Sequence, residues 1–354
     1  MGKEIFDLYT DYLLASFRLA SATSLSAMTG GRISHDRVTR FLRSEEIGSQ
    51  DLWRNARPFV REIESDNGVI VVDDSISEKP YTDENEIICW HWDHSKQRNV
   101  KGINFVTALY VSNEISVPVG CELVKKTIKV KDEKTNREKR ISDRSKNEMF
   151  RDMIRNCKKQ NIKFQLVLAD IWYSSSENMT NIKNDLKKDF IFPLKSNRKI
   201  ALSKKEKSMG QWTPLESVKF RKGEVRTVYL EGVNFPLQLI KQIFKNDDGS
   251  TGTLYLVCSI QDVDFDFITT NYHKRWKVEE YHKSLKQNVS LEKSPAKIVR
   301  TQTNHFFSAL CAFVKLQRIT LSVNTNHFAL KGKLYIQALK VSFHYLSGLQ
   351  TVRT

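Results

Sequence analysis

The amino-acid sequence predicts an α/β fold in which a helical N-terminal region precedes a core of strands and helices, and a mainly β insertion interrupts that core. Three observations predict it. Apolar residues recur at helical spacing in the first part of the chain, β-branched runs begin near residue 66, and a largely β interval separates two mixed stretches. The N-terminal helical region, first core part, insertion, second core part and C-terminal helical region are therefore predicted at residues 1–65, 66–189, 190–263, 264–320 and 321–354.

The N-terminal region has candidate helices on both sides of a glycine turn. Apolar side chains recur at helical spacing from Ile5 to Phe17, and Gly30-Gly31 follows a second short segment. Ser34 can N-cap the next helix, which carries Arg37 and Arg40 on its outer face. This pattern is typical of a DNA-binding helix-turn-helix, and an ordinary helical bundle is the alternative.

Two apolar runs in the first core part each end in an acid. Val69 to Val72 is followed by Asp73 and Asp74, and Phe164 to Ala169 is followed by Asp170. A carboxylate at the end of a buried strand is costly unless it is paired or bound to a metal. A turn or capping role explains either acid alone, but the repetition indicates a functional site.

Between these two strands the sequence predicts a hairpin, a charged segment and a helix. Residues 103–111 and 115–124 predict two strands of an antiparallel hairpin. Residues 125–146 are densely charged, which predicts a solvated loop or a contact with the DNA backbone. Residues 145–160 predict a helix with a buried apolar stripe.

The interval between the second strand acid and the next long helix is too long for one helix or hairpin. Most of residues 190–260 consists of apolar runs separated by turn residues, which predicts a β-rich insertion in the core. The insertion contains one tryptophan, Trp212. Its side chain could stack on a DNA base or pack inside the insertion.

A helix is predicted from Tyr272 to Lys286. At about 100° per residue, Tyr272, Arg275, Glu279 and Lys286 share an arc of roughly 60°. An acid flanked by cations on one face fits a metal ligand whose neighbours hold a polyanion. His282 and Lys283 flank this arc, so either could contact DNA or remain solvated.

Composition agrees with a nucleic-acid partner. The chain has 57 Lys and Arg against 41 Asp and Glu, a net charge of +16 and a pI near 9.5. No apolar run approaches the roughly 18 residues of a membrane span, and no signal peptide is evident, so we expect a soluble intracellular protein. Five scattered cysteines argue against a disulfide framework, and the absence of a Walker A loop argues against a nucleotide cofactor.

These segments together resemble the DDE transposases of bacterial insertion sequences, specifically the hairpin-forming cut-and-paste group with the signature Tyr-x2-Arg-x3-Glu-x6-Lys. Tyr272, Arg275, Glu279 and Lys286 match this signature without a gap. The resemblance extends from about residue 20 to 320 and rests on three further segments: Val-Asp-Asp-Ser at 72–75, Leu-Ala-Asp-Ile-Trp-Tyr-Ser-Ser at 168–175 and Phe-Pro-Leu-Lys-Ser-Asn-Arg at 192–198.

The resemblance implies a ribonuclease-H-like catalytic core. Asp74, Asp170 and Glu279 would be its catalytic acids and the ligands of two divalent metal ions, Mg²⁺ or alternatively Mn²⁺. Asp74 is preferred as the first acid because family members place that acid directly before Ser or Thr. Asp73 remains the alternative.

The resemblance also implies DNA contacts. Tyr272, Arg275 and Lys286 would hold phosphates near the transposon end. The family places a base-stacking aromatic residue in its β insertion, where Trp212 is the candidate.

The implied activity is excision of an insertion sequence by strand cleavage and hairpin formation, followed by strand transfer into target DNA. We expect double-stranded DNA as the partner, a homodimer in a synaptic complex, no membrane or nucleotide, and a location with the nucleoid in the bacterial cytoplasm. A catalytically silent DNA-binding descendant and a related ribonuclease-H-like nuclease are the alternatives.

Overall fold

The structure, a computed structural model, describes residues 2–131, 133, 136, 138–245 and 248–351. In this part of the chain, helices α1 to α11 are Gly2–Ala15, Ala22–Met28, His35–Ser44, Ser49–Ile63, Lys146–Lys159, Ser176–Thr180, Lys204–Ser208, Phe265–His273, Lys277–Asn288, Val299–Ser322 and His327–Thr351. Strands β1 to β13 are Val69–Glu78, Ile88–Asp93, Arg98–Ser112, Ile115–Leu123, Ile128–Lys131, Glu138–Ile141, Leu166–Ala169, Asp189–Leu194, Lys199–Ala201, Thr213–Pro214, Val225–Leu230, Pro236–Lys245 and Thr251–Cys258.

A mixed sheet of eleven strands lies at the centre of the described fold, in the order β10-β9-β11-β12-β13-β8-β7-β1-β3-β2. The long strand β3 also pairs with β4, beyond the part that pairs with β2. The pairs β1–β7 and β7–β8 are parallel, whereas the other pairs in this sheet are antiparallel. The predicted mixed α/β class is therefore confirmed.

The first predicted strand lies in the middle of this sheet. Val69 to Val72 have no exposed surface, because β3 and β7 flank the strand and helices cover both faces. On one face, Phe105 of β3 packs against His282 of α9 and Phe306 of α10. On the other face, Met153 of α5 approaches Gly120 of β4.

Two segments beside this strand test the sequence predictions. The β3–β4 hairpin forms as predicted, and its turn residues Asn113 and Glu114 have positive φ values of 48° and 66°. The charged segment 125–146, predicted as a solvated loop or a contact with the DNA backbone, contains the two-stranded β5–β6 ladder. Its ends are tied together by the pairing of Ile128 with Ile141, an apolar pair that the high charge of the segment obscures.

The interval predicted as the insertion extends the same sheet. Strands β9 to β13 are joined antiparallel, and β13 pairs with β8. Strand β8 lies almost wholly within this predicted interval, but it also pairs parallel with β7. The central sheet therefore continues without a break from the first core part into this interval.

The N-terminal helices pack on the rest of the fold. Ser34 caps α3 as predicted, and Val38, Phe41 and Leu42 of that helix are buried. Asn304 of α10 lies in the same core: its side chain accepts a hydrogen bond from the Ile47 amide (2.9 Å) and donates to the carbonyls of Leu42 (2.8 Å) and Glu45 (2.6 Å). The side-chain amide of Asn304 thus supplies hydrogen-bond partners to backbone groups at the C-terminal end of α3 and in the segment that joins α3 to α4.

The last helix, α11, leaves much of its apolar surface uncovered. Val341, Phe343 and Tyr345 are each at least 70% exposed. No single helix in the described part of the chain is long and apolar enough to cross a membrane, although α10 and α11 pass that length and composition test as a pair bent by 90°.

We predict that Asn304→Ala lowers the free energy of unfolding by about 3 kcal/mol, because it leaves three buried backbone groups without partners at roughly 1–3 kcal/mol each before relaxation. Chemical denaturation measures this change. Thr303→Ala, at a half-exposed position of the same helix, is the control and should cost less than about 0.5 kcal/mol. Equal effects of the two substitutions would contradict the bridging role of Asn304.

Candidate active site

The parallel pairing of β1 with β7 determines where two of the acids lie. Val72 is opposite Ala169, so the next positions of the two strands are Asp73 and Asp170. Neighbouring strands are about 4.8 Å apart, and paired residues project from the same face of a sheet. Asp73 and Asp170 therefore lie side by side.

Asp73 and Asp74 project from opposite faces of the sheet. Asp73 is opposite Thr107 and shares its face with Phe105, the residue that packs against His282 of α9. Asp74 projects toward α5, where its carboxylate meets Lys146. Of these two neighbours, Asp73 is therefore the one that shares the face covered by the helix that carries Glu279.

The two carboxylates also differ in their partners. Asp74 accepts hydrogen bonds from Lys146 Nζ (2.5 Å), Tyr173 Oη (3.0 Å) and Asn104 Nδ2 (3.4 Å). Asp73 accepts one from the backbone amide of Asp74 (2.9 Å). The pKa of Asp73 is raised to about 7, mainly by burial and also by the negative charges of Asp74 and Asp170, against the opposing effects of that hydrogen bond and Arg275. Thus Asp74 forms a direct ion pair with a lysine, whereas the positive charge of Arg275 compensates Asp73 only in part.

The helix that carries the signature is not continuous. A 3₁₀ turn at Lys274–Trp276 separates α8 from α9. A 3₁₀ turn advances about 120° per residue instead of 100°, so these three residues shift the later positions by about 60° relative to a continuous helix. Tyr272 is buried on α8, at 9% exposure, and Arg275 still contacts both Tyr272 and Glu279 of the predicted arc.

Arg275 connects this broken helix with the acids. Its Nη2 donates to Glu279 Oε1 at 3.0 Å, and its guanidinium lies 5.8 Å and 5.4 Å from the ring centres of Tyr272 and Trp276. Its positive charge also lowers the pKa of Asp73. The Nε of Arg275 is buried without a hydrogen-bond partner in the described structure, so this side chain retains one unused donor.

The acids open into a cleft of about 510 Å³. Its lining includes the three aspartates just described, the cations Lys96, Lys146 and Lys286, and the aromatic residues Trp92, His94, Trp172 and Tyr173. Trp92, Trp172 and Tyr173 were not identified from the sequence as site residues, and Lys146 was noted only as the end of the charged segment that could contact the DNA backbone. The pair Trp172-Tyr173, directly after Asp170, was the signal that could have indicated them.

Two of the predicted DNA-binding residues on α9 are not in this cleft. His282 is 9% exposed and packs between Phe105 and Tyr281, and burial together with the charge of Lys286 lowers its pKa to about 3. This burial argues against a direct DNA contact. Lys283 lies over the ring of Phe328 on α11, with its Nζ 5.3 Å from the ring centre.

The remaining predicted contacts lie elsewhere on the surface. Trp212 is half-buried and directly precedes β10, seven strand positions from β1 in the sheet. Arg40 is exposed on α3, and Arg37 on the same helix lies 3.8 Å from Glu4. The structure therefore does not bring Trp212, Arg37 or Arg40 to the acidic cleft.

The chemistry of the acids fits a hard divalent cation, because such ions prefer carboxylate oxygens and the raised pKa of Asp73 shows that the nearby positive charge does not offset its burial. The complete predicted triad is not assembled. Among the residues that the structure describes, no group of three or more His, Cys, Asp or Glu side chains could hold a metal ion. Glu279 instead pairs with Arg275, and Asp74 pairs with Lys146.

Comparison with known proteins gives two family matches. The family described as DDE superfamily endonuclease matches residues 3–214, more than half of the 354-residue chain, and the Transposase DDE domain family matches residues 139–314. No curated protein matches the sequence significantly. The first match includes Asp73, Asp74 and Asp170, and the second includes Asp170 and Glu279. The chain therefore belongs to the DDE superfamily of transposases and endonucleases.

Proposed function

We propose that the protein is a transposase that excises an insertion sequence by metal-dependent cleavage and hairpin formation at the transposon ends and inserts it by strand transfer. The observation that carries this proposal is the placement of Asp73 beside Asp170, in a lysine-rimmed cleft and on the face covered by α9. Membership of the superfamily supports DNA cleavage and the use of divalent metals.

The strand order supports a ribonuclease-H-like core. The strands β4, β3, β1, β7 and β8 are adjacent in that order, with antiparallel pairs before β1 and parallel pairs after it. We propose that this part of the sheet is the catalytic core and that β9 to β13 form the insertion. On this proposal the helices before residue 66 form the DNA-binding region, with Arg37 and Arg40 on its outer face.

We propose that Asp73, Asp170 and Glu279 hold the divalent ions. A bound ion would activate the attacking oxygen and stabilise the leaving oxygen of a phosphodiester. Asp73 and Asp170 already lie side by side on one face of the sheet, whereas Glu279 must first break its hydrogen bond with Arg275 before it can bind a metal ion. The same-face geometry favours Asp73 over the sequence-preferred Asp74, whose three donors hold it on the opposite face.

The cations of the site are suited to the DNA backbone. Arg275, once released from Glu279, presents a planar fork that matches a phosphate, and its Nε is a donor without a partner among the described residues. Lys146 and Lys286 line the cleft as point charges. We propose that these three residues hold the phosphates on both sides of the bond that is cut. The ring of Tyr272 would hold the guanidinium of Arg275 in place.

We also propose that the protein cuts DNA as a homodimer in the bacterial cytoplasm, since cleavage of two ends in concert requires two active sites. The exposed apolar side chains of α11 support a second copy as the partner, because a contiguous apolar surface marks an interface.

Substitution of single acids tests the metal site. Asp73→Asn and Asp170→Asn should each lower Mg²⁺-dependent cleavage by more than about 100-fold, since even groups behind metal ligands contribute 10–100-fold. Asp74→Asn, the neighbouring control on the opposite face, should have a smaller effect. Cleavage rates and Mn²⁺ binding by electron paramagnetic resonance measure both. A larger loss for Asp74→Asn than for Asp73→Asn would contradict the assignment.

Purified protein tests the proposed reaction with DNA that carries the inverted repeats flanking its gene. We expect nicked ends, hairpinned ends and insertion products in Mg²⁺, whereas EDTA should abolish cleavage and leave duplex binding intact. Nicking without hairpins or insertion would indicate a related nuclease. Binding without any cleavage would indicate a catalytically silent descendant.

The dimer is tested by Phe343→Asp. This substitution should weaken self-association on end DNA by tenfold or more, because a buried phenylalanine contributes about 1.5–3 kcal/mol. Gln337→Asp, at an exposed polar position of the same helix, is the control with the same added charge. Light scattering measures the mass of the complexes. Retention of the dimer by Phe343→Asp, or a monomeric wild-type complex, would contradict the proposal.

A further inference from the structure

A row of aromatic rings leads to the acidic cleft. Trp92 and Trp172, which line the cleft, are 49% and 52% exposed, and Trp90 is 54% exposed. The ring of His94 stacks on Trp172, with centroids 4.7 Å apart and planes at 30°, and meets the ring of Trp92 edge-on at 6.4 Å. We call these four residues, Trp90, Trp92, His94 and Trp172, the tryptophan track.

The backbone explains why the rings form a row. Trp90 and Trp92 are two residues apart in β2, where the buried His91 alternates with them, so both project from the exposed face about 7 Å apart. Trp172 lies in the 3₁₀ turn directly after Asp170. The track therefore ends two residues along the chain from one of the acids.

Lysines lie along the same row. Lys195 Nζ is 4.5 Å from the ring centre of Trp172, and Lys101 Nζ is 5.9 Å from that of Trp90. Lys126 Nζ donates to the Trp90 carbonyl at 2.6 Å, and Lys96 lines the cleft. Positive charge interleaved with exposed rings matches a strand whose phosphates and bases alternate.

Two features identify the occupant. A tryptophan can bury 150–250 Å², so three half-exposed tryptophans in one row offer a ligand a large aromatic surface to cover. In a duplex the faces of the bases are hidden by their neighbours, whereas an unpaired strand offers them to aromatic side chains. The chemistry of the row therefore favours an unpaired DNA strand over a duplex.

We infer that the tryptophan track binds unpaired bases of the DNA strand next to the bond that is cut, with Trp172 and His94 nearest the acids. This inference rests on the proposed function, since it places a separated strand at the same cleft. It assigns base stacking to β2 and the turn after β7, whereas the candidate from the sequence was Trp212, which precedes β10, seven strand positions from β1.

Binding of two labelled DNAs tests the track. One is a blunt duplex with a transposon end, and the other is the same duplex with an unpaired overhang, both measured by fluorescence anisotropy in EDTA so that no strand is cut. Wild-type protein should bind the overhang DNA more tightly. Trp172→Ala should weaken that binding by about tenfold or more, as expected for one stacked base, and should leave blunt-duplex binding nearly unchanged.

Two further variants separate stacking from folding. Trp172→Phe retains a smaller ring and should recover part of the overhang affinity, while Trp212→Ala, at a half-buried tryptophan outside the cleft, should bind both DNAs like the wild type. Thermal unfolding of each variant checks the fold. Quenching of tryptophan fluorescence by the overhang DNA should be weaker in Trp172→Ala.

Each contrary outcome has a distinct meaning. If the wild type binds and cuts duplex ends but binds the overhang DNA no more tightly than the blunt duplex, the inference about the tryptophan track is wrong and the proposed function stands. The same holds if Trp172→Ala weakens both DNAs equally, or if Trp212→Ala carries the loss. If the wild type binds neither DNA, the proposed function and the track both fail.

Discussion

The parallel pairing of β1 with β7 is the constraint on which the rest of the site depends. It brings Asp73 and Asp170 next to each other at the ends of two buried strands, with no intervening loop to move them apart. Two carboxylates at that spacing repel each other, and burial together with the charges of Asp74 and Asp170 raises the pKa of Asp73 to about 7. The sheet thereby places two carboxylates where a bound cation would stabilise their ionised forms.

The surrounding cations show how the protein balances this charge. Arg275 lies near the two aspartates while it pairs with Glu279, and Lys146 pairs with Asp74 on the other face. On the proposed function, an ion between the aspartates would replace the charge that Arg275 supplies, and Arg275 and Glu279 would then be free for a phosphate and the metal. The broken helix suits this exchange, because the 3₁₀ turn holds Arg275 between the rings of Tyr272 and Trp276.

Features that depend on local sequence could be predicted, whereas features that depend on distant partners could not. The cap at Ser145 and the buried stripe of α5 follow from short-range pattern, as does the β3–β4 turn. The burial of His282 depends on Phe105 from another element, and the choice between Asp73 and Asp74 depends on the register of β1 with β7. The 3₁₀ turn was missed because a helical projection assumes a constant twist.

The most direct measurement is anomalous diffraction from crystals of the protein with DNA ends and Mn²⁺. The account predicts an anomalous peak between the carboxylates of Asp73 and Asp170, with Asp74 still bonded to Lys146 and Tyr173. A peak at Asp74 with Lys146 displaced, or no peak beside Asp170, would contradict it.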